Sequence, residues 1–135
     1  MPGLFIEAPT GVQPDAKQEM MREITAAIRE AYRIQDTRIW LREYPPGNVA
    51  MDGRINAEPV KPVCFLEAPE LASLEAKSTL AAKILAAVDK AYRDIANTDK
   101  TMILMNHYPL SNAGWAGRLG SENPDAVAHM KRLNA

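Results

Sequence analysis

The stretch PGLFIEAP at residues 2–9 returns sixty positions later as PVCFLEAP at residues 62–69. Extended without a gap to residues 33 and 93, the two segments share 13 of 32 positions, among them Phe5/Phe65, Glu7/Glu67, Lys17/Lys77, Ile24/Ile84, Tyr32/Tyr92 and Arg33/Arg93. Unrelated segments would share about two at ordinary residue frequencies. The correspondence resumes at an offset of 64, where EYPPGNVAMDGR (43–54) lies over HYPLSNAGWAGR (107–118). The second copy has taken up its four extra residues in the segment Asp94–Lys100. The chain is a tandem duplication, and its repeated unit decides the fold.

Each copy has the same local grammar. Gly3–Ala8 and Val63–Ala68 are short apolar runs stopped by Pro9 and Pro69, and they read as strands. Apolar residues then recur at steps of three and four, through Met21, Ile24, Ile28 and Ala31 and through Leu80, Ile84, Val88 and Ala91. That spacing predicts helices over Pro14–Ile34 and Ser73–Ile95, with Ser73 as an N-cap. Second strands are expected over Arg38–Glu43 and Thr101–Asn106, ended by the Tyr-Pro pairs at 44–45 and 108–109.

A strand–helix–strand unit favours a parallel pair with a right-handed crossover. Two such units predict an α/β (α+β) fold: tandem β-α-β units forming a four-stranded sheet with both helices on one face. The single domain 1–135 divides into repeat one (2–54), a linker (55–61), repeat two (62–118) and a tail (119–135). A short terminal helix is expected over Asp125–Leu133. The sheet face away from the helices carries Trp40, Ile103 and Met105 in this reading, an apolar surface that calls for cover by another subunit.

Sixteen Lys+Arg against seventeen Asp+Glu give a net charge of −1, which argues against nucleic acid or an anionic membrane as partner. One Cys and two His provide neither a disulfide framework nor a metal-finger set. Cys64 falls within a strand, where a thiol packs inertly, and His129 in the tail is expected to be solvated. The start, MPGLFIEAPTG, has no positive region and no long apolar run, so a cytoplasmic protein is expected.

Pro2 directly after Met1, the duplicated unit of about sixty residues, the KxxxxxxIT pattern at Lys17–Thr25 and the ExPxGN pattern at Glu43–Asn48 resemble the tautomerase superfamily in its two-repeat form. That form includes the fused 4-oxalocrotonate tautomerases and cis-3-chloroacrylic acid dehalogenase. The resemblance covers residues 2–119, with Gly117-Arg118-Leu119 looking like the dehalogenase type. It implies a homotrimer, no cofactor, no metal, and removal of Met1 so that the secondary amine of Pro2 becomes the catalytic group. A prolyl amine in an apolar pocket loses affinity for its proton and can serve as a base near neutrality. Pro62 holds the same place in repeat two, but its nitrogen is locked in a peptide bond.

The helpers that the resemblance implies carry over only in part. The family's Arg after the first strand falls on Val12 and Ala72, while its second-strand Arg is matched by Arg38. The dehalogenase's water-activating Glu falls on Trp115, its helix His on Tyr32 and its second-strand Tyr on Leu104. The resulting substrate-binding candidates are Arg38, Trp115, His107, Arg118 and Tyr32, with Pro2 as the base. A pocket with so few cations predicts keto–enol tautomerisation of a small mono-acid or aromatic enol or 2-oxo acid, rather than of a dicarboxylate. The alternatives are lyase, hydratase, decarboxylase or dehalogenase chemistry on the same fold, or a non-catalytic trimeric binding protein.

Overall fold

A computed structural model describes residues 1–135. In chain order the elements are β1 (Gly3–Pro9), α1 (Pro14–Tyr32), β2 (Arg38–Tyr44), the small hairpin β3 (Ala50–Met51) and β4 (Arg54–Ile55), β5 (Val63–Pro69), α2 (Leu74–Tyr92), β6 (Met102–Tyr108), a second hairpin β7 (Gly114–Trp115) and β8 (Arg118–Leu119), and α3 (Pro124–Leu133). The main sheet has the order β2-β1-β5-β6. β1 and β2 are parallel, as are β5 and β6, and the two halves meet through antiparallel β1 and β5.

The central register displays the duplication as symmetry. Phe5 pairs with Phe65, its own repeat equivalent, while Gly3 pairs with Glu67 and Glu7 with Val63. A pseudo-twofold axis therefore passes between Phe5 and Phe65. Repeats that pair this way leave equivalent strand ends at opposite ends of the sheet.

Local chemistry sets the helix ends. Pro14 opens α1, where a missing N–H costs nothing. Ser73 caps α2, its hydroxyl accepting from the Ala76 N–H at 3.1 Å. Both helices end at a Tyr, two or three residues earlier than the apolar spacing predicts. In α1 the reason is Arg33, which turns into the left-handed region (φ 54°) while its N–H still bonds the Arg29 carbonyl.

Strand alternation sends Leu4, Ile6, Ala8, Cys64, Leu66 and Ala68 under the helices, against Met20, Ile24, Ile28, Leu80, Ile84 and Val88. The inward stripe includes Tyr32 and Tyr92, both fully buried. No helix is long and apolar enough to cross a membrane.

The opposite sheet face differs from the sequence expectation by one residue. Trp40 is exposed there as expected, but Ile103 and Met105 point into the helix layer. Their neighbours Met102 and Leu104 are the exposed ones. The offset of 64 explains this: Leu104, the equivalent of Trp40, pairs with Phe65 as Trp40 pairs with Phe5. Side chains alternate strictly along a strand, so a slip of one residue exchanges the faces. Trp40 stacks on Phe5 with centroids 4.8 Å apart. Gly3 makes room for the indole, since a Cβ there would lie 2.9 Å from the ring.

Candidate active site

One end of the sheet gathers the start of β1 and the ends of β5 and β6, because the two halves run in opposite directions. Pro2 lies at this end, fully buried, its carbonyl accepting from the Arg38 N–H at 3.1 Å. From the end of β6, the Tyr108 hydroxyl donates to the Met1 carbonyl at 3.1 Å. That carbonyl carbon is the one bonded to the Pro2 nitrogen, so the phenol is placed beside the site of the expected chemistry. A cleft of about 370 Å³ opens here, with Met1, Arg33, Asp36, Pro69, Trp115 and His129 in its wall.

Of the residues anticipated from sequence, Trp115 lines this cleft. Its ring lies on Gly120, where a Cβ would come within 2.6 Å of it. Tyr32 and His107 are brought together, the hydroxyl bonding Nε2 of the imidazole. They sit in the layer under the helices and not in the cleft wall. Arg38 points outward and is held by Asp36 at 3.0 Å. Arg118 is exposed opposite Trp115 in the β7–β8 hairpin, also outside the wall.

Four residues of this end escaped the sequence reading. Arg33 stands in the sequence only as one of the positions repeated in copy two, as Arg93. Arg93, however, is tied to Asp89 at 3.0 Å, whereas Arg33 enters no ion pair and lies between the cleft and the α1–α2 groove, lining both. Tyr108 was seen only as a strand end. Asp36 comes with the turn after α1. His129 is not solvated: its Nε2–H donates to the Tyr32 carbonyl at 2.8 Å, fastening α3 across the end of α1.

Electrostatics at this end disfavour charge. Burial holds the terminal amine below the ordinary α-amino value, with nearby Asp36 opposing the shift. The Tyr108 phenol is pushed up by burial and then by Glu67, so it is a neutral donor at pH 7. Cys64 is pushed up to about 12 by burial, which leaves it an inert thiol. No group of three or more His, Cys, Asp or Glu converges to hold a metal ion.

His107 is held below the usual imidazole range by burial and then by Lys77, with Glu70 opposing. A neutral ring accepts the Tyr32 hydrogen bond. Below about pH 6.5 the unfolded chain binds a proton that the folded chain resists, so stability falls as pH drops through the lowered folded value. His107→Asn should flatten that part of a pH–stability profile measured by urea unfolding. Parallel profiles for the two proteins between pH 8 and 5 would contradict this origin.

The opposite end shows what the duplication did not preserve. The Pro62 carbonyl accepts from Met102 at 3.2 Å, as Pro2 does from Arg38. There, however, Glu43 stands where His107 does and pairs with Lys17, and the buried Tyr92 hydroxyl has no partner. The linker, from Asn56 to Lys61, lines a smaller depression of about 220 Å³. Another groove, of about 310 Å³, runs between α1 and α2, where Glu30 and Lys83 pair with each other.

No protein-family model and no curated protein sequence matches the chain. Solved structures do. Native fused 4-OT superposes with a TM-score of 0.78 at 21% identity, over 90% of this chain and 98% of that one. A fused 4-OT solved as an asymmetric trimer gives 0.76 at 21%, over 90% and 98%. Malonate semialdehyde decarboxylase gives 0.63 at 10%, over 84% and 89%. At these identities the likeness is one of architecture, and the fold of this chain is that of the two-repeat members of the tautomerase superfamily.

Proposed function

We propose that the chain is a tautomerase whose base is the amine of Pro2, freed by removal of Met1, and that it interconverts the enol and keto forms of a small mono-acid, with arylpyruvates as the preferred class. The observation that carries this reading is the position of buried Pro2 directly behind Met1, which lines a cleft that also holds an unpaired cation, Arg33, and whose carbonyl accepts from a neutral phenol, Tyr108. Loss of Met1 would uncover the prolyl nitrogen there. Burial that already depresses the Met1 amine acts in the same sense one residue deeper.

In this scheme the neutral amine removes the enol hydroxyl proton, and a proton returned to the neighbouring carbon completes the ketone. Arg33 pairs with the substrate carboxylate. Tyr108 donates to the oxygen on which charge develops. Trp115 supplies a flat apolar wall for an aryl group. His107 and Tyr32 act behind the cleft by fixing the end of α1, from which Arg33 projects, and Arg38 holds Asp36 in place.

The assembly we infer is a homotrimer. The open sheet face presents Trp40, Met102 and Leu104 together, a patch that is costly in water. A trimer is also the state in which fused 4-OT structures of this fold were solved.

The substrate class is tested by comparing kcat/KM for phenylenolpyruvate and 2-hydroxymuconate. We expect preference for the aromatic mono-acid and a loss of about fivefold or more on it in Trp115→Ala, the scale of one aromatic contact. Preference for the dicarboxylate would contradict the pocket assignment, as would an unchanged aromatic rate in the variant.

A further inference from the structure

The tail helix α3 has no counterpart in repeat one, and its placement gives it a use. Its Leu133 packs against the core, but no residue of α3 is fully buried, so apolar packing alone does not explain its position. Polar contacts fix it as well. Asn123 caps its start, accepting from the N–H groups of Asp125 and Ala126 at 3.1 and 3.4 Å. His129 fastens its middle to the Tyr32 carbonyl. At its far end Asn134 grips the β5–α2 loop with both side-chain atoms, accepting from the Ala72 N–H at 2.7 Å and donating to the Glu70 carbonyl at 3.0 Å. So held, α3 places Asn123, Asp125, Ala126, His129 and Met130 in the wall of the Pro2 cleft.

The charge this wall carries is the informative part. Arg33, which also borders the α1–α2 groove, is the one Arg or Lys in the cleft wall and enters no ion pair. Asp36 is already spent on Arg38, and Asp125 is a carboxylate without an ion-pair partner. A ligand whose carboxylate meets Arg33 brings any second carboxylate into a space that Asp125 borders. Like charges a few ångströms apart repel, and the repulsion needs only that the second carboxylate come close to Asp125.

We propose that α3 is the specificity wall of the cleft and that Asp125 makes it select mono-acids by repelling a second carboxylate. This rests on the Pro2 cleft being the substrate site, as proposed above, and deepens that reading. It assigns discrimination to a repulsive element rather than to missing attraction alone. Asn134 is a positioning residue in this scheme, acting through α3.

The test is ligand binding to the full chain by calorimetry, with phenylpyruvate and 4-carboxyphenylpyruvate as probes that differ by one carboxylate. The unaltered protein should bind phenylpyruvate more tightly. In Asp125→Asn the ratio of the two dissociation constants should fall at least threefold, chiefly by improved binding of the diacid. Asn123 remains to cap the helix in this variant. Asn134→Ala should also lower the ratio, by loosening the wall, while the surface control Asp99→Asn leaves it unchanged. A ratio unmoved in Asp125→Asn overturns the proposal, and so does failure of the unaltered protein to bind either probe. Tautomerase turnover is scored separately. A ratio that shifts as expected in a protein without turnover would leave the wall standing and remove the catalytic reading.

Discussion

Replacing Pro2 with Ala should lower kcat for enol–keto conversion by about a hundredfold or more, whereas Pro62→Ala should leave it within about threefold of the unaltered protein. The first figure is the lower range of what a positioned general base contributes. Alanine at position 2 still supplies an amine after processing, but a primary one that is less rigid and better solvated, so its proton affinity and aim both suffer. Pro62 occupies the equivalent place at the other end of the sheet, with the same backbone contact to the neighbouring strand. Its nitrogen is an amide and never titrates. The pair of variants therefore separates chemistry from packing, since both remove a buried ring at a strand start. Steady-state kinetics with phenylenolpyruvate decides it, and comparable losses in the two variants would contradict the mechanism.

Tyr108→Phe should cost about ten- to a hundredfold in kcat with a smaller change in KM. The hydroxyl lies 3.1 Å from the Met1 carbonyl oxygen, which marks where an acceptor on a bound substrate can sit once Met1 is gone. Burial and Glu67 keep the phenol protonated well above neutral pH, so it donates throughout the working range. A donor aimed at a developing oxyanion acts more strongly on the transition state than on the ground state, which is why the loss falls on kcat. Tyr44, its repeat equivalent, faces Glu7 at the other end, and Tyr44→Phe should have little effect. A Tyr108→Phe variant with unchanged kcat would remove the phenol from the scheme.

The repeat made the architecture legible before any coordinates. Identical residues at an offset of 60 carry the strand, the helix and its apolar stripe, and two copies of a β-α-β unit leave few topologies open. What stayed hidden has particular causes. At the offset of 64 the equivalent of Trp40 is Leu104, and strict alternation puts Met102 with it on the open face and Ile103 and Met105 on the other, a one-residue parity that the apolar run Met102–Met105 does not display by itself. Arg33 and Arg93 are the same residue in sequence, yet one turns left-handed at a helix end and the other stays helical and bonds Asp89. Only the backbone distinguishes a cleft cation from a surface ion pair. His129 belongs to a segment with no internal copy to compare, so nothing in its pattern announced that α3 closes the Pro2 end. Trp115 and Pro2 were reachable because each stands out chemically: a lone large aromatic in a hairpin, and a proline behind the first Met.

The central claim is that the Pro2 nitrogen is a free, reactive amine, and intact mass spectrometry of the purified protein before and after a halopropiolate tests it most directly. The account predicts a chain lacking Met1 that gains one adduct, mapped to the N-terminal proline, with loss of activity in proportion to labelling. A chain that retains Met1, or one whose adduct maps to another residue while Pro2 stays unmodified, would contradict it.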